Sequence, residues 1–131
     1  MPQRPDDPSI GDEERLWRRV HPKQIDLSSE TGEPEVSSGA FSTREELSIA
    51  ISSQTTLETF VFNYPEHSVV EFTAGAARVL GCSVVRDPLP NDPAHALLCG
   101  PRSRGRLTQS QKELLKQVSR LILFKSPERN D

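Results

Sequence analysis

Arginine and histidine are concentrated in two short clusters. One is Leu16-Trp17-Arg18-Arg19-Val20-His21-Pro22; the other is Val84-Val85-Arg86-Asp87-Pro88, which leads through Pro93-Ala94 to His95. A guanidinium donates charge-assisted hydrogen bonds to carboxylate or phosphate, and an imidazole can exchange a proton near neutral pH. Arg19, His21, Arg86 and His95 are therefore candidate contacts for an anionic group. Ser37 and Ser38 join them, because hydroxyls beside Gly39 let a ligand approach the backbone and receive short hydrogen bonds. Each has a plainer alternative. Arg18, Arg19 and His21 read equally as the wet face of an edge strand, and Ser37-Ser38 as a turn entering a strand. His95 has Asp87 or a backbone carbonyl as an internal partner, and His67 beside Ser68 reads as a loop residue.

No complete reaction motif accompanies these side chains. A Gly-x-Ser-x-Gly elbow, a Walker loop and a dinucleotide glycine fingerprint are all absent from the sequence. Histidines 21, 67 and 95 lack His-x3-His spacing and no Cys-x2-Cys pair exists, so neither a metal nor another cofactor is expected. Cys82 and Cys99 are too few for a disulfide scaffold and are expected to be reduced thiols.

The elements that must position these groups follow from periodicity. Leu16 to Val20 predicts a first strand ended at His21-Pro22, with Gln24 to Leu27 a short continuation and Ser28 to Pro34 an exposed loop. Leu47, Ile49 and Ile51 alternate with Ser48, Ala50 and Ser52, the pattern of a strand with one buried face. Thr55 or Thr56 caps a helix to about Asn63, and a second helix is predicted after Ser68 from Val69, Phe72, Thr73, Ala76, Ala77 and Leu80, stopped at Gly81.

Ser83 to Arg86 and His95 to Cys99 predict two strands around a proline-rich loop; a symmetric hairpin sets Cys82 opposite Cys99 and Arg86 opposite His95. A last helix from Ser110 to Phe124 carries an apolar stripe of Leu114, Leu115, Val118, Leu121 and Ile122. Lys112, Lys116 and Arg120 fall on another face as a candidate partner-binding surface. This order predicts an α+β fold, a small mostly antiparallel sheet packed against two or three helices.

At 131 residues the chain is about one domain long, and its 34% apolar content with 11 prolines implies that part of it stays outside the core. Residues 1–14 hold acids, prolines and one isolated Ile10, predicting a disordered acidic tail before a single domain at 15–125, with 126–131 a disordered C-terminus. Residues 1–100 carry 8 basic and 16 acidic side chains while 101–131 carry 8 and 3, so the two parts differ in sign, −8 against +5. The basic part can meet a nucleic acid, an acidic protein or the chain's own acidic tail. Its lack of interleaved aromatics disfavours nucleic acid. No run approaches the length of a membrane span and the start is acidic where a signal peptide is basic, so a soluble, cytoplasmic protein is expected.

The succession Arg18-Arg19-Val20-His21-Pro22, Ser37-Ser38-Gly39-Ala40-Phe41, Glu46-Leu47-Ser48-Ile49, Phe72-Thr73-Ala74-Gly75 and Asp87-Pro88-Leu89-Pro90-Asn91-Asp92-Pro93-Ala94-His95-Ala96 resembles a group of small, uncharacterised bacterial proteins. That resemblance spans Leu16 to Gly100 and implies a bacterial origin without a role for any residue. A fainter one is to ADP-ribosyltransferase-like domains. It implies a nucleotide-acting enzyme with Arg19 or His21 on an early strand, Ser37-Ser38 on a later one and Glu46 or Glu71 as the acidic member. Between these, the sequence favours a binding or accessory module whose polar cleft accepts an anionic ligand or a protein partner.

Overall fold

The computed structural model describes residues 4–125, so residues 1–3 of the expected tail and the expected disordered C-terminus at 126–131 lie outside the described residues. Six strands form one sheet: β1 (Arg15–Val20), β4 (Leu47–Ile51), β5 (Ser68–Thr73), β6 (Ser83–Arg86), β7 (His95–Cys99) and β8 (Arg120–Leu123), in the order β6-β7-β4-β1-β5-β8. β2 (Ile25–Leu27) and β3 (Pro34–Val36) form a separate hairpin, and every pairing is antiparallel. Helices α1 (Leu57–Phe60), α2 (Ala74–Val79) and α3 (Gln109–Val118) complete the expected α+β architecture.

Alternation divides the strands between two layers. Leu16, Val20, Ile49, Val70, Phe72, Val84 and Leu98 pack with Phe41, Ala77 and Leu115 in the main core, each at most 2% exposed. The opposite face carries a smaller cluster of Trp17, Ala50, Phe60, Val69 and Ala94, with the Trp17 and Phe60 rings 5.9 Å apart. That thinner layer leaves room for a hollow.

Several expectations are corrected. The helix predicted after Ser68 is strand β5 as far as Thr73, and only then does α2 begin, with the Thr73 side chain accepting from Ala76 N–H. Val69 and Phe72 satisfied helical spacing, but Val70 is also buried, and this β-branched run is paired on both sides by β1 and β8. The last helix ends at Val118; Ser119 takes extended angles and Arg120–Leu123 joins the sheet as β8. Leu121 and Ile122 therefore belong to a strand, and of the helical stripe Leu115 is buried while Leu114 and Val118 are exposed. Arg120 does not share a helix face with Lys112 and Lys116.

The acidic N-terminal segment is not loose from residue 4 onward. Asp7 N–H donates to Val84 O and Val84 N–H to Asp6 Oδ1, each at 2.9 Å, so the segment covers the outer edge of β6. Ile10 is 2% exposed in the main core, and Arg78 holds Asp6 at 3.1 Å and Asp12 at 2.7 Å. A Cβ at Gly75 would lie 2.9 Å from Asp12, so the close approach of this segment requires glycine there. Among the described residues its acids form ion pairs with Arg78 and Arg86 and none with the basic C-terminal run.

The β6–β7 hairpin is offset by one residue from the symmetric expectation. Ser83, not Cys82, lies opposite Cys99, and Arg86 pairs with Ala96. Reciprocal Leu89 and Asp92 backbone bonds at 3.0 Å pinch the loop, and Asp87 N–H donates to His95 O at 3.0 Å. Asp87 is thereby set against His95, and Arg86 is not.

Candidate functional site

β1 and β4 pair at Leu16↔Ile51 and Trp17↔Ala50, and no further pair follows. Extending that register would put Arg19 opposite Ser48. Arg18, pointing the other way, spans this interval by donating from Nε to Ala40 O and from Nη1 to Ser48 O, both at 3.0 Å. Burial pushes its pKa down to about 10, with repulsion from Arg19 adding to the effect. Arg18 is a strut between β1, β4 and the Ser38–Phe41 turn.

Arg19 faces the other layer. Its Nη1 donates to Phe60 O at 2.9 Å, and its guanidinium carbon lies 4.5 Å from the Phe60 ring centroid and 4.1 Å from that of Tyr64. Both rings present their π-faces to the cation. Burial lowers the Arg19 pKa, opposed by Tyr64 and Asp92. One of its five N–H donors meets Phe60 O, and the guanidinium lines an adjoining cavity.

Ser48 pairs with Leu97 and Ala50 with His95, so Ser48 and His95 are diagonal neighbours on one sheet face. His95 Nε2 lies 3.2 Å from Ser48 Oγ, while Nδ1 lies 3.0 Å from Asp87 O and 3.1 Å from Asp87 Oδ2. The His95 side chain is 12% exposed and that of Asp87 43%.

Arg19, Ser48 and His95 line a cavity of about 400 Å³. Thr59 and Tyr64 stand on one wall, from the segment around α1, and Asn91 and Asp92 on the other, from the β6–β7 loop. Thr56 caps α1 as expected, though the helix stops at Phe60 instead of reaching Asn63.

Two of the six proposed ligand contacts, Arg19 and His95, thus share a cavity. His21 is one ring away: its Nδ1 accepts from Lys23 N–H at 3.0 Å, and its ring meets that of His67 at 5.3 Å, which meets Tyr64 at 5.2 Å. Ser37 and Ser38 lie beside the His21 turn, joined to it by Gln24, which accepts at O from Ser37 N–H and donates from Nε2 to Gly39 O. Neither serine lines the cavity. Arg86 binds Ser9 Oγ at 3.1 Å and Asp7 at 3.7 Å. Of the partner-binding candidates, Lys112 and Lys116 lie on α3, and Arg120 on β8 binds Glu71 at 3.2 Å.

The acidic residues cast for a transferase also lie outside the cavity lining. Glu71 accepts from Trp17 Nε1 at 2.9 Å and Glu46 from Arg4 at 2.7 Å. Cys82 and Cys99 are free and buried; burial pushes their thiols up to about 12 and about 11. Among the described residues, no three His, Cys, Asp or Glu side chains converge to hold a metal ion, and no helix is long and apolar enough to cross a membrane.

Sequence reasoning missed Ser48, as it missed Thr59, Tyr64, Asn91 and Asp92 on the walls. The signal for Ser48 was its polar position in Leu47-Ser48-Ile49-Ala50-Ile51, where the face opposite the core carries a hydroxyl. Fold and site together define a small α+β domain with a polar cavity against one face of its sheet. Compared with known proteins, the chain matches no family model, no curated protein and no solved structure.

Proposed function

We propose that the protein is a binding or accessory module whose Arg19–Ser48–His95 cavity takes a small anionic ligand. The observation carrying this reading is the Arg19 guanidinium, held in place by Phe60 O and two aromatic rings while it lines a concave polar site. A cation already oriented loses little freedom when it meets an anion. The cavity volume of about 400 Å³ lies within the roughly 300–1,000 Å³ range of small-molecule sites. Asp92 and Asn91 on the wall add acceptors, which suits an anion that also bears hydroxyl groups.

Titration with inorganic phosphate, sugar phosphates and nucleoside monophosphates, followed by amide NMR shifts, tests the reading. Saturable shifts are expected around Arg19, Ser48, Thr59 and His95, with affinity falling at least about tenfold in Arg19→Gln, the loss of one charge-assisted contact. Absence of shifts with every probe, or shifts that persist unchanged in Arg19→Gln, would overturn it.

A further inference from the structure

We propose that Ser48 is a nucleophile activated by His95, which gives the cavity an acyl-transfer activity toward small carboxylic esters; this rests on reading the same cavity as an anion site. Nδ1 of His95 faces two acceptors, the carbonyl and the carboxylate of Asp87, at 3.0 and 3.1 Å. The neutral ring therefore carries its proton on Nδ1, and Nε2 is left as an acceptor. Ser48 Oγ, 3.2 Å away, donates its hydrogen to that nitrogen. Nucleophile, base and orienting carboxylate thus stand in the relation that defines a Ser-His-Asp site, which is recognised by geometry and roles and not by chain order.

Sheet register holds this spacing. Ser48 and His95 sit on paired neighbours β4 and β7, and the His95 backbone is fixed at both ends by Asp87 N–H donating to its carbonyl and by its own N–H donating to Asp92 O. Asp87 is a positioning residue, because it acts through the ring. Arg19, which lines the same cavity as Ser48, is the cationic donor facing it.

In the first step Ser48 Oγ bonds to the ester carbonyl carbon, its proton passes to His95 Nε2, and the carbonyl π pair becomes an oxyanion facing Arg19. Collapse restores the C=O bond and breaks the bond to the alcohol oxygen, which takes the proton from His95. Water repeats the sequence on the acyl-serine, releasing the acid and restoring the hydroxyl. Ester and water become acid and alcohol, with no external oxidant or reductant. The product, a small carboxylate, is itself an anion of the class the cavity is proposed to bind.

A fluorophosphonate probe tests the first step directly, since the Ser48 Oγ–phosphorus bond forms as fluoride leaves and His95 takes the proton. Peptide mass spectrometry is expected to find the adduct on Ser48, to find none there in Ser48→Ala, and to find labelling slowed at least about 100-fold in His95→Gln, the contribution of a general base. An unlabelled Ser48 in the folded protein, or equal rates with and without His95, overturns the proposal.

The His95 tautomer, read by 15N NMR on the unaltered protein, needs no variant. A proton on Nδ1 is expected, and one on Nε2 overturns the proposal. Binding of acetate or inorganic phosphate separates the two readings: labelling lost while Arg19-dependent binding persists removes the nucleophile alone, and loss of both removes the anion site as well.

Discussion

Arg18 and Arg19 are adjacent on one strand and are used in opposite ways. Arg18 points to the side of the Ser38–Phe41 turn and gives both of its hydrogen bonds to main-chain carbonyls, so it fastens β1 to that turn and to β4. Arg19 points to the other layer, is steadied by one carbonyl and two rings, and lines a cavity. The same contrast separates the two faces of the sheet. The helical face is closed by Phe41, Leu98 and Leu115, each at most 1% exposed, while on the other face a thin apolar cluster lies next to the hollow. Residue type does not decide whether an arginine is structural or available to a ligand. The parity of its position along the strand does.

The largest expected effects lie on the closed face. Phe41→Ala removes a ring that is 1% exposed and meets Phe72 at 6.4 Å between centroids. It is expected to cost about 3–5 kcal/mol, measured by denaturant unfolding. Ile10→Ala, which removes the anchor of the N-terminal segment, is expected to cost about 2–4 kcal/mol. A cost below about 0.5 kcal/mol there would mean that the segment does not belong to the core.

The two arginines sharpen the contrast. Arg18→Met strips the partners from Ala40 O and Ser48 O but also removes a buried cation, for an expected net loss of about 1–3 kcal/mol. Arg19→Met keeps an apolar stem beside Phe60 and Tyr64 and is expected to cost less than about 1 kcal/mol, while anion-dependent NMR shifts in the cavity disappear. Equal losses of stability in the two variants would erase the distinction between strut and site.

Much of this division was legible in the sequence. Alternation in Leu47-Ser48-Ile49-Ala50-Ile51 marked a strand, although its second face is covered too, with Ala50 1% exposed in the smaller cluster, and the Arg19 and His95 clusters pointed to residues that do share a hollow. What failed did so for identifiable reasons. Val69 to Thr73 fits helical and extended periods alike, and pairing with β1 and β8 on both sides decides for the strand. Arg86 and His95 were matched by hairpin symmetry; the Leu89–Asp92 pinch keeps that centre, but three steps from Asp92 to His95 face two from Leu89 to Asp87, and the extra residue shifts the strand register by one. The turn bearing Ser37-Ser38 does lie beside the His21 turn, joined to it through Gln24, but neither serine lines the cavity that Arg19 and His95 share.

The smallest expected effect tests whether the cavity wall responds to pH while the closed face does not. His67 lies between His21 and Tyr64, and among the described residues its buried Nδ1 has no hydrogen-bond partner. Its pKa is lowered from 6.5, first by burial, then by repulsion from His21, Arg19 and Arg18, with Glu66 acting in the opposite sense. Below 6.5 the unfolded chain therefore binds more protons at this residue than the folded one, so its contribution to stability falls as pH drops from 6.5 through the lower folded value. In His67→Phe, which keeps an aromatic ring between His21 and Tyr64, the thermal midpoint is expected to fall less between pH 7.5 and 5.5 than in the unaltered protein, by about 1–3 °C. Amide signals of Tyr64 and Arg19 in the unaltered protein are expected to move over that interval while those of Leu98 and Leu115 stay still. Equal pH slopes in the two proteins, or movement shared by both faces, would show that the ring contacts from His21 to Tyr64 do not set the wall apart.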